Sequence, residues 1–177
     1  MRPNVAPNGN EISFDDSEVI VSKTDPTGKL TYGNRVFFRM CHMGPRQCIG
    51  EQHNIIRHPG MPRVVFDLLW DTIQEGQEIF AFVNNLAANG DNYWVFAHVT
   101  PSYNQDGEII GYHSSRRTPN RKALDDHIKP LYEALHEIED NASSPKEGMH
   151  QARDEVSKLL AAKGMEFNEF MFSLREA

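Results

Sequence analysis

Cysteine is scarce: Cys41 and Cys48 are the only two in 177 residues. Their spacing matches no paired metal-ligand pattern, and two thiols make no disulfide framework. They read as semi-buried free thiols. Long apolar runs are missing as well. No stretch approaches the roughly eighteen residues that a membrane-spanning helix needs, so none is expected. The opening residues Met1 to Asn10 lack the apolar centre of a secretory signal and read as a flexible lead-in, which makes the cytoplasm the expected location. Positive charge is in deficit. Eighteen basic residues face twenty-five acidic ones, for a formal charge of −7. A broad nucleic-acid-binding face is therefore disfavoured. There is no nucleophile beside a base, no metal-ligand cluster and no glycine-rich phosphate loop, so no catalytic role is expected. Internal repeats and low-complexity tracts are also lacking.

The residues that are present make one α+β domain followed by helices. Glu18 to Thr24 and Lys29 to Tyr32 read as strands around the turn Asp25-Pro26-Thr27-Gly28, where proline presets φ and glycine accepts a positive one. Asn34 is placed to cap a helix over Arg35 to His42. A longer helix follows Pro62 and carries Val65, Phe66, Leu69, Trp70 and Ile73 on one face, with Gly76 ending it. Ile79 to Leu86, Tyr93 to Pro101 and Glu108 to Arg116 then alternate as three strands joined by Asn-Gly-Asp and Asp-Gly turns. In the second of these, Trp94, Phe96 and His98 share one face.

Past Pro119 the composition turns helical. Leu124, Ile128, Leu131, Leu135 and Ile138 form a heptad-like stripe with Pro130 inside it, where a kink is expected. A second helix is predicted over Lys146 to Lys163. The tail Met165 to Ala177 sets Phe167, Phe170, Met171 and Leu174 on one face. These faces either pack on the sheet and on each other or form a surface for a second copy or another partner. The resulting division is a lead-in over 1–13, a sensor-sized domain over 14–118 and a helical extension over 119–177.

One stretch stands out against the acidic background. From Gln52 to Arg63 the chain holds His53, Arg57, His58 and Arg63 with no carboxylate. A local basic spot of this kind suits an anionic ligand. The run His53-Asn54-Ile55-Ile56-Arg57-His58-Pro59-Gly60-Met61-Pro62 also carries a resemblance, together with Phe66, Leu69-Trp70, Asn84-Asn85 and Asn89-Gly90-Asp91-Asn92-Tyr93-Trp94. Residues 14 to 118 resemble a PAS domain, and more narrowly the PAS domain of bacterial aerotaxis receptors in its stand-alone form. The last helices, beyond about Ala142, lie outside that likeness.

The resemblance implies a PAS fold, a five-stranded antiparallel sheet with short helices on one face. It implies a cavity between sheet and helices that holds FAD non-covalently and reports redox or energy state to a separate, membrane-bound chemotaxis-type transducer, with the sensor as a homodimer. It also assigns the pocket. Arg57 supplies a fork for the pyrophosphate, and His53 and His58 add donors. Asn54 and Asn85 offer amides to the polar edge of the ring, and Trp70 is a flat wall. The chain departs from the family at Gly60, where an acid is common, and at Ile79, where a Trp is common. Phe80 and Phe82 beside Ile79 are bulky enough to fill part of a flavin cavity. A haem-binding sensor and a cofactor-free interaction module are the alternatives.

Overall fold

Apolar–polar alternation along five segments builds a sheet with two usable faces. The computed structural model describes residues 5–176. Met1 to Asn4, the start of the expected lead-in, and Ala177, the end of the expected tail helix, lie outside the described residues. The strands are β1 (Ile20–Thr24), β2 (Leu30–Gly33), β3 (Ile79–Leu86), β4 (Asn92–Tyr103) and β5 (Ile109–Arg117). They pair antiparallel throughout in the order β2-β1-β5-β4-β3. The expected α+β, five-stranded antiparallel architecture is what the chain forms.

Between β2 and β3 the chain makes α1 (Arg35–Cys41), the short α2 (Pro45–Cys48), a 3₁₀ turn (His53–Ile56) and α3 (Arg63–Gln74). Asn34 caps α1, its side chain accepting from Phe37 N at 2.9 Å. Both cysteines are buried free thiols. The described part of the lead-in runs along the β3–β4 hairpin. Asn8 and Asn10 donate to the Asp91 carboxylate at 2.8 and 3.0 Å, and Ile12 N donates to Asn92 O.

The two faces of the sheet have different fates. Ser22 and Thr24 of β1, Val83 and Asn85 of β3, and Ser114 and Arg116 of β5 line a space beneath α3. The opposite parity faces the C-terminal helices. These are α4 (Arg121–Ala123), a π turn (Leu124–Ile128), α5 (Lys129–Asn141), α6 (Pro145–Lys163) and α7 (Phe167–Glu176). Phe82 packs edge-on to Phe96 at 4.9 Å, and Phe172 of α7 packs on Phe80 at 4.4 Å. The Tyr132 hydroxyl donates to Phe82 O at 2.8 Å. Phe80 and Phe82 therefore do not fill the space under α3. Strand period sends them to the far face, and only Ile79 of that trio stays on the α3 side, packed with Ile73, Val99 and Tyr112.

The C-terminal segment bends around the β3 edge rather than standing apart. Its stripe Leu124, Ile128 and Leu135 is buried in the main core, with Leu131 and Ile138 packed against it, so that face is covered within the chain itself. Pro130 has no N–H, and its ring would crowd the preceding turn. The π turn just ahead of it, closed by Lys129 N donating to Leu124 O, makes the room, and the expected kink takes that form. Gly148 lets α6 lie on α5, since a Cβ there would sit 2.5 Å from Glu139 O. Asn168 of α7 blunts the exposed edge of β3, accepting from Phe80 N and donating to Glu78 O, both at 2.9 Å. Among the described residues, no helix is long and apolar enough to cross a membrane.

Candidate ligand-binding cavity

The space under α3 is a cavity of about 410 Å³. That lies within the few-hundred-Å³ range of small-molecule and cofactor sites. Its roof is the apolar face of α3. Phe66, Leu69 and Trp70 are only half-buried, although the sequence pattern marks them as core, because they look onto a void rather than onto packed atoms. The Trp70 ring stands edge-on to Tyr112 at 5.6 Å. Gly28, at φ 84°, gives it room: a Cβ there would come within 2.9 Å of Trp70 Cη2.

The 3₁₀ turn supplies the next wall. Ile55 and Ile56 anchor it in the core, which turns His53 and Arg57 toward the cavity and leaves Asn54 at the exposed rim. The Arg57 backbone bridges to Asn85 of β3. The guanidinium of Arg57 lies over the Phe66 ring at 4.0 Å and donates to Met61 O at 3.5 Å. Of the six residues singled out in the sequence, His53, Asn54, Arg57, Trp70 and Asn85 line this one cavity. His58 does not. Its Nδ1 accepts from Gly60 N at 3.1 Å, closing the turn before α3.

The floor holds what sequence reasoning missed. Arg116 is 4% exposed, in the middle strand of the sheet. Its Nη2 donates to Ser22 Oγ at 2.7 Å and to His53 Nε2 at 2.6 Å, and Ser22 Oγ lies 3.0 Å from the same imidazole nitrogen. The Phe37 ring lies 5.8 Å from the guanidinium. No carboxylate is among these partners, so the cation is buried on hydroxyl, imidazole and ring. Burial pushes its pKa down to about 10. One signal pointed to it: Tyr112, Ser114 and Arg116 share a strand face, and a buried-face arginine calls for a partner.

The floor is also under-satisfied. Thr24 Oγ1, Asn85 Nδ2, Ser114 Oγ and Arg116 Nη1 are buried polar atoms without a hydrogen-bond partner, and all four residues line the cavity. Each such group carries a desolvation cost of about 1–3 kcal/mol unless something meets it. A ligand with a mixed donor and acceptor edge does so.

His53 is not the phosphate-side cation that its neighbourhood suggests. It lines the cavity, and it serves as an acceptor for Arg116. Burial first, and the Arg116 charge second, hold its pKa down at about 3. A depressed histidine is neutral in the fold and protonated in the unfolded chain between these limits. Its contribution to stability is therefore complete above about pH 6.5 and is lost as pH falls toward 3, at up to about 1.4 kcal/mol per pH unit. His53→Gln keeps an acceptor and does not titrate. Urea melts at pH 7 and pH 4.5 are expected to differ less for this variant than for the wild type. Burial depresses His58 and His113 too, and these cancel in the comparison. An unchanged pH slope would refute the assignment.

Sheet, roof helix and polar-floored cavity together define a sensor-type α+β domain. A family model described as PAS fold matches residues 14–114, over half of the chain, and the protein belongs to that family. It is similar to the aerotaxis receptor of Escherichia coli strain K12, 35% identical over 123 residues, covering 68% of this chain and 23% of the receptor. It is also similar to the nitrogen fixation regulatory protein of Klebsiella pneumoniae, 26% identical over 103 residues, covering 58% of this chain and 21% of the relative. The chain thus spans under a quarter of the length of these curated relatives. Among solved structures it superposes on the light state of the blue-light photoreceptor Aureochrome1 LOV with a TM-score of 0.57 at 16% identity, covering 63% of this chain and 89% of that one. A light-oxygen-voltage domain whose mechanism was probed with a flavin analogue superposes with a TM-score of 0.55 at 12% identity, covering 63% and 84%. Both likenesses concern the fold.

Proposed function

We propose that this PAS domain binds FAD non-covalently in the cavity under α3 and reports its redox state to a separate, membrane-bound chemotaxis-type transducer. One observation carries the reading: a cavity with apolar walls whose floor holds four buried polar atoms without a hydrogen-bond partner, one of them on the guanidinium of Arg116. Flavin supplies reversible electron transfer when bound. In this reading the Asn85 amide and the Ser114 hydroxyl meet the polar edge of the ring. Arg116 offsets negative charge there. Trp70, Tyr112 and Val99 give the apolar walls, and Arg57 reaches the phosphates. The likeness to an aerotaxis receptor supports the same choice. Haem fits less well, because the histidine lining the cavity has its Nε2 engaged by Arg116 and Ser22.

The route outward starts at α3. This helix roofs the cavity and is tied to both long C-terminal helices. Glu139 of α5 holds its N-terminus, and Arg153 of α6 reaches Asp67 and Asp71, each at 2.6 Å. A ligand biases such a two-state element only through differential affinity for the two states. A change of charge beside Arg116 supplies that difference. Purified protein incubated with FAD and desalted is expected to keep flavin absorbance between about 350 and 500 nm, a property of the cofactor itself. Protein left colourless by that treatment would overturn the reading, as would a haem spectrum.

A further inference from the structure

Among the described residues, Met149 is the only one from the C-terminal helices that lines the cavity under α3. It stands on α6 one turn ahead of Arg153, so the two share a helix face. Arg153 Nη1 donates to Asp67 Oδ2 and to Asp71 Oδ2, both at 2.6 Å. Asp67 also lines the cavity, which puts this ionic contact at its margin. The Arg153 and Asp71 side chains keep 39% and 50% of their surface exposed. Near the cavity α6 is seated by small side chains: Ala152 is buried, and Gly148 rests on Glu139 of α5. Farther along, Leu159 and Leu160 pack on the main core. The chain is open at both ends of the helix. Ser143 and Ser144 are exposed, and a Cβ at Gly164 would meet only open space.

We infer that α6 is a lid on this cavity, latched to α3 by Arg153 and opening at Met149. Such a lid governs access whichever ligand the cavity takes, so it stands apart from the FAD reading. The other walls are fixed in place. The floor is paired sheet. The 3₁₀ turn is anchored by buried Ile55 and Ile56 and bridged to Asn85, and Glu139 holds the first turn of α3. By contrast, α6 meets the cavity through one pliable methionine and an exposed ionic latch. Gly148 and Ala152 bury little apolar area, so the seat beneath that latch is weak. Exposed ion pairs are weak too and are screened by salt. Lifting this end of α6 about Leu159 and Leu160 breaks no strand pairing. It does leave Asp67 and Asp71 as like charges one turn apart, so the closed state draws on both carboxylates. The helical extension, which lies beyond the 14–114 match, thereby controls exchange between cavity and solvent.

Acrylamide quenching of Trp70 fluorescence tests the lid on the full chain without any ligand. Trp70 roofs the cavity, and the other tryptophan of the sequence, Trp94, is replaced by phenylalanine. In that background Arg153→Ala is expected to raise the quenching constant at least about twofold at low salt. Arg153→Lys, a point charge in place of a fork, is expected to fall between. With Arg153 present, quenching is expected to rise as NaCl goes from about 20 mM to about 0.5 M, and Arg153→Ala is expected to lose that dependence. Met149→Ala is expected to raise quenching at every salt concentration and to keep the dependence. Thermal melts check that each variant is folded. Should Arg153→Ala fail to fold, Asp71→Asn weakens the latch from outside the cavity lining and is expected to move quenching the same way. Quenching unchanged when the latch is removed overturns the lid. A salt dependence that survives in Arg153→Ala overturns it as well, since the latch is then not its source. Protein that binds no flavin leaves these outcomes untouched.

Discussion

Replacing Arg116 with methionine is expected to make the cofactor-free protein more stable while removing its flavin binding. The native residue carries a cost. A guanidinium 4% exposed in the middle of the sheet has given up its water, and no carboxylate is among its partners. That cost is complete below about pH 10 and is relieved only as pH rises toward the ordinary value for arginine. Exchanging buried charges for hydrophobic groups of similar size is often neutral or stabilising, by about 1–4 kcal/mol. Methionine matches the length and adapts its shape. The partners left behind are not orphaned either. Ser22 Oγ lies 3.0 Å from His53 Nε2, and the hydroxyl can donate to the imidazole directly. With a chain of this size moving roughly 2–4 °C per kcal/mol, the melting temperature rises by several degrees.

Binding goes the other way. Methionine offers nothing to the polar edge of a flavin, and a fully desolvated cation is worth far more to a ligand than one in water. Losing it is expected to weaken FAD by two orders of magnitude or more, following the cost of an unpaired charged contact at about 3 kcal/mol. The Arg116 charge also depresses the pKa of His53, after burial, so the variant loses part of the wild type's acid sensitivity. Thermal melts without ligand and FAD titration decide the matter. A variant that melts lower than wild type makes Arg116 a structural strut, and one that still binds FAD removes it from the site.

This opposition explains what the sequence could and could not disclose. The strands were legible because alternation along Ile79 to Leu86 and Asn92 to Tyr103 follows a local rule. The roof helix was legible because Phe66, Leu69 and Trp70 recur at helical spacing. That same pattern could not say that these side chains face a void, since an apolar stripe looks alike over a core and over a cavity. Arg57, Trp70 and Asn85 came with the family pattern. Arg116 did not: it closes the strand expected over Glu108 to Arg116 and borders a second arginine at 117, and nothing local says which of the two lies on the buried face. Only sheet register, which sets Ser22 opposite Ser114 and Ala97 opposite Arg116, shows which of the two points inward. Phe80 and Phe82 failed for a related reason. Their bulk was visible, but the face they serve depends on helices some fifty to ninety residues later, as the Tyr132 and Phe172 contacts show. Long-range contacts of that kind leave no periodic trace.

Glu139 is the sharpest case of a long-range residue, and removing its carboxylate is expected to loosen the roof of the cavity from a distance. On sequence it is one acid among many on an amphipathic helix. In the fold its side chain is 2% exposed, accepting from Arg63 N and Val64 N at 2.7 Å each and from Arg63 Nε at 3.1 Å. Pro62, just before α3, has no side chain that can cap it, so Glu139 does from α5 what a capping residue does locally. Glu139→Ala strands two backbone donors, that of Val64 buried and that of Arg63 partly so, and leaves Arg63 without its closest acid. Arg63 is 31% exposed in its side chain, so water recovers part of that loss. The expected destabilisation is about 2–4 kcal/mol, below the full cost of breaking a wholly buried pair. Glu139→Gln keeps one acceptor oxygen but sets an amide N–H against a backbone N–H, and is expected to fall between alanine and wild type. Urea melts measure the size of the effect, and amide exchange over residues 63–67 gives its location. If α3 loses protection while the sheet keeps its own, the C-terminal helices hold the roof. FAD binding then has to close that gap on its own, so Glu139→Ala is expected to bind FAD more weakly, with no contact to the ligand removed. Unchanged exchange in α3 would cut the proposed route from cavity to extension at its first joint.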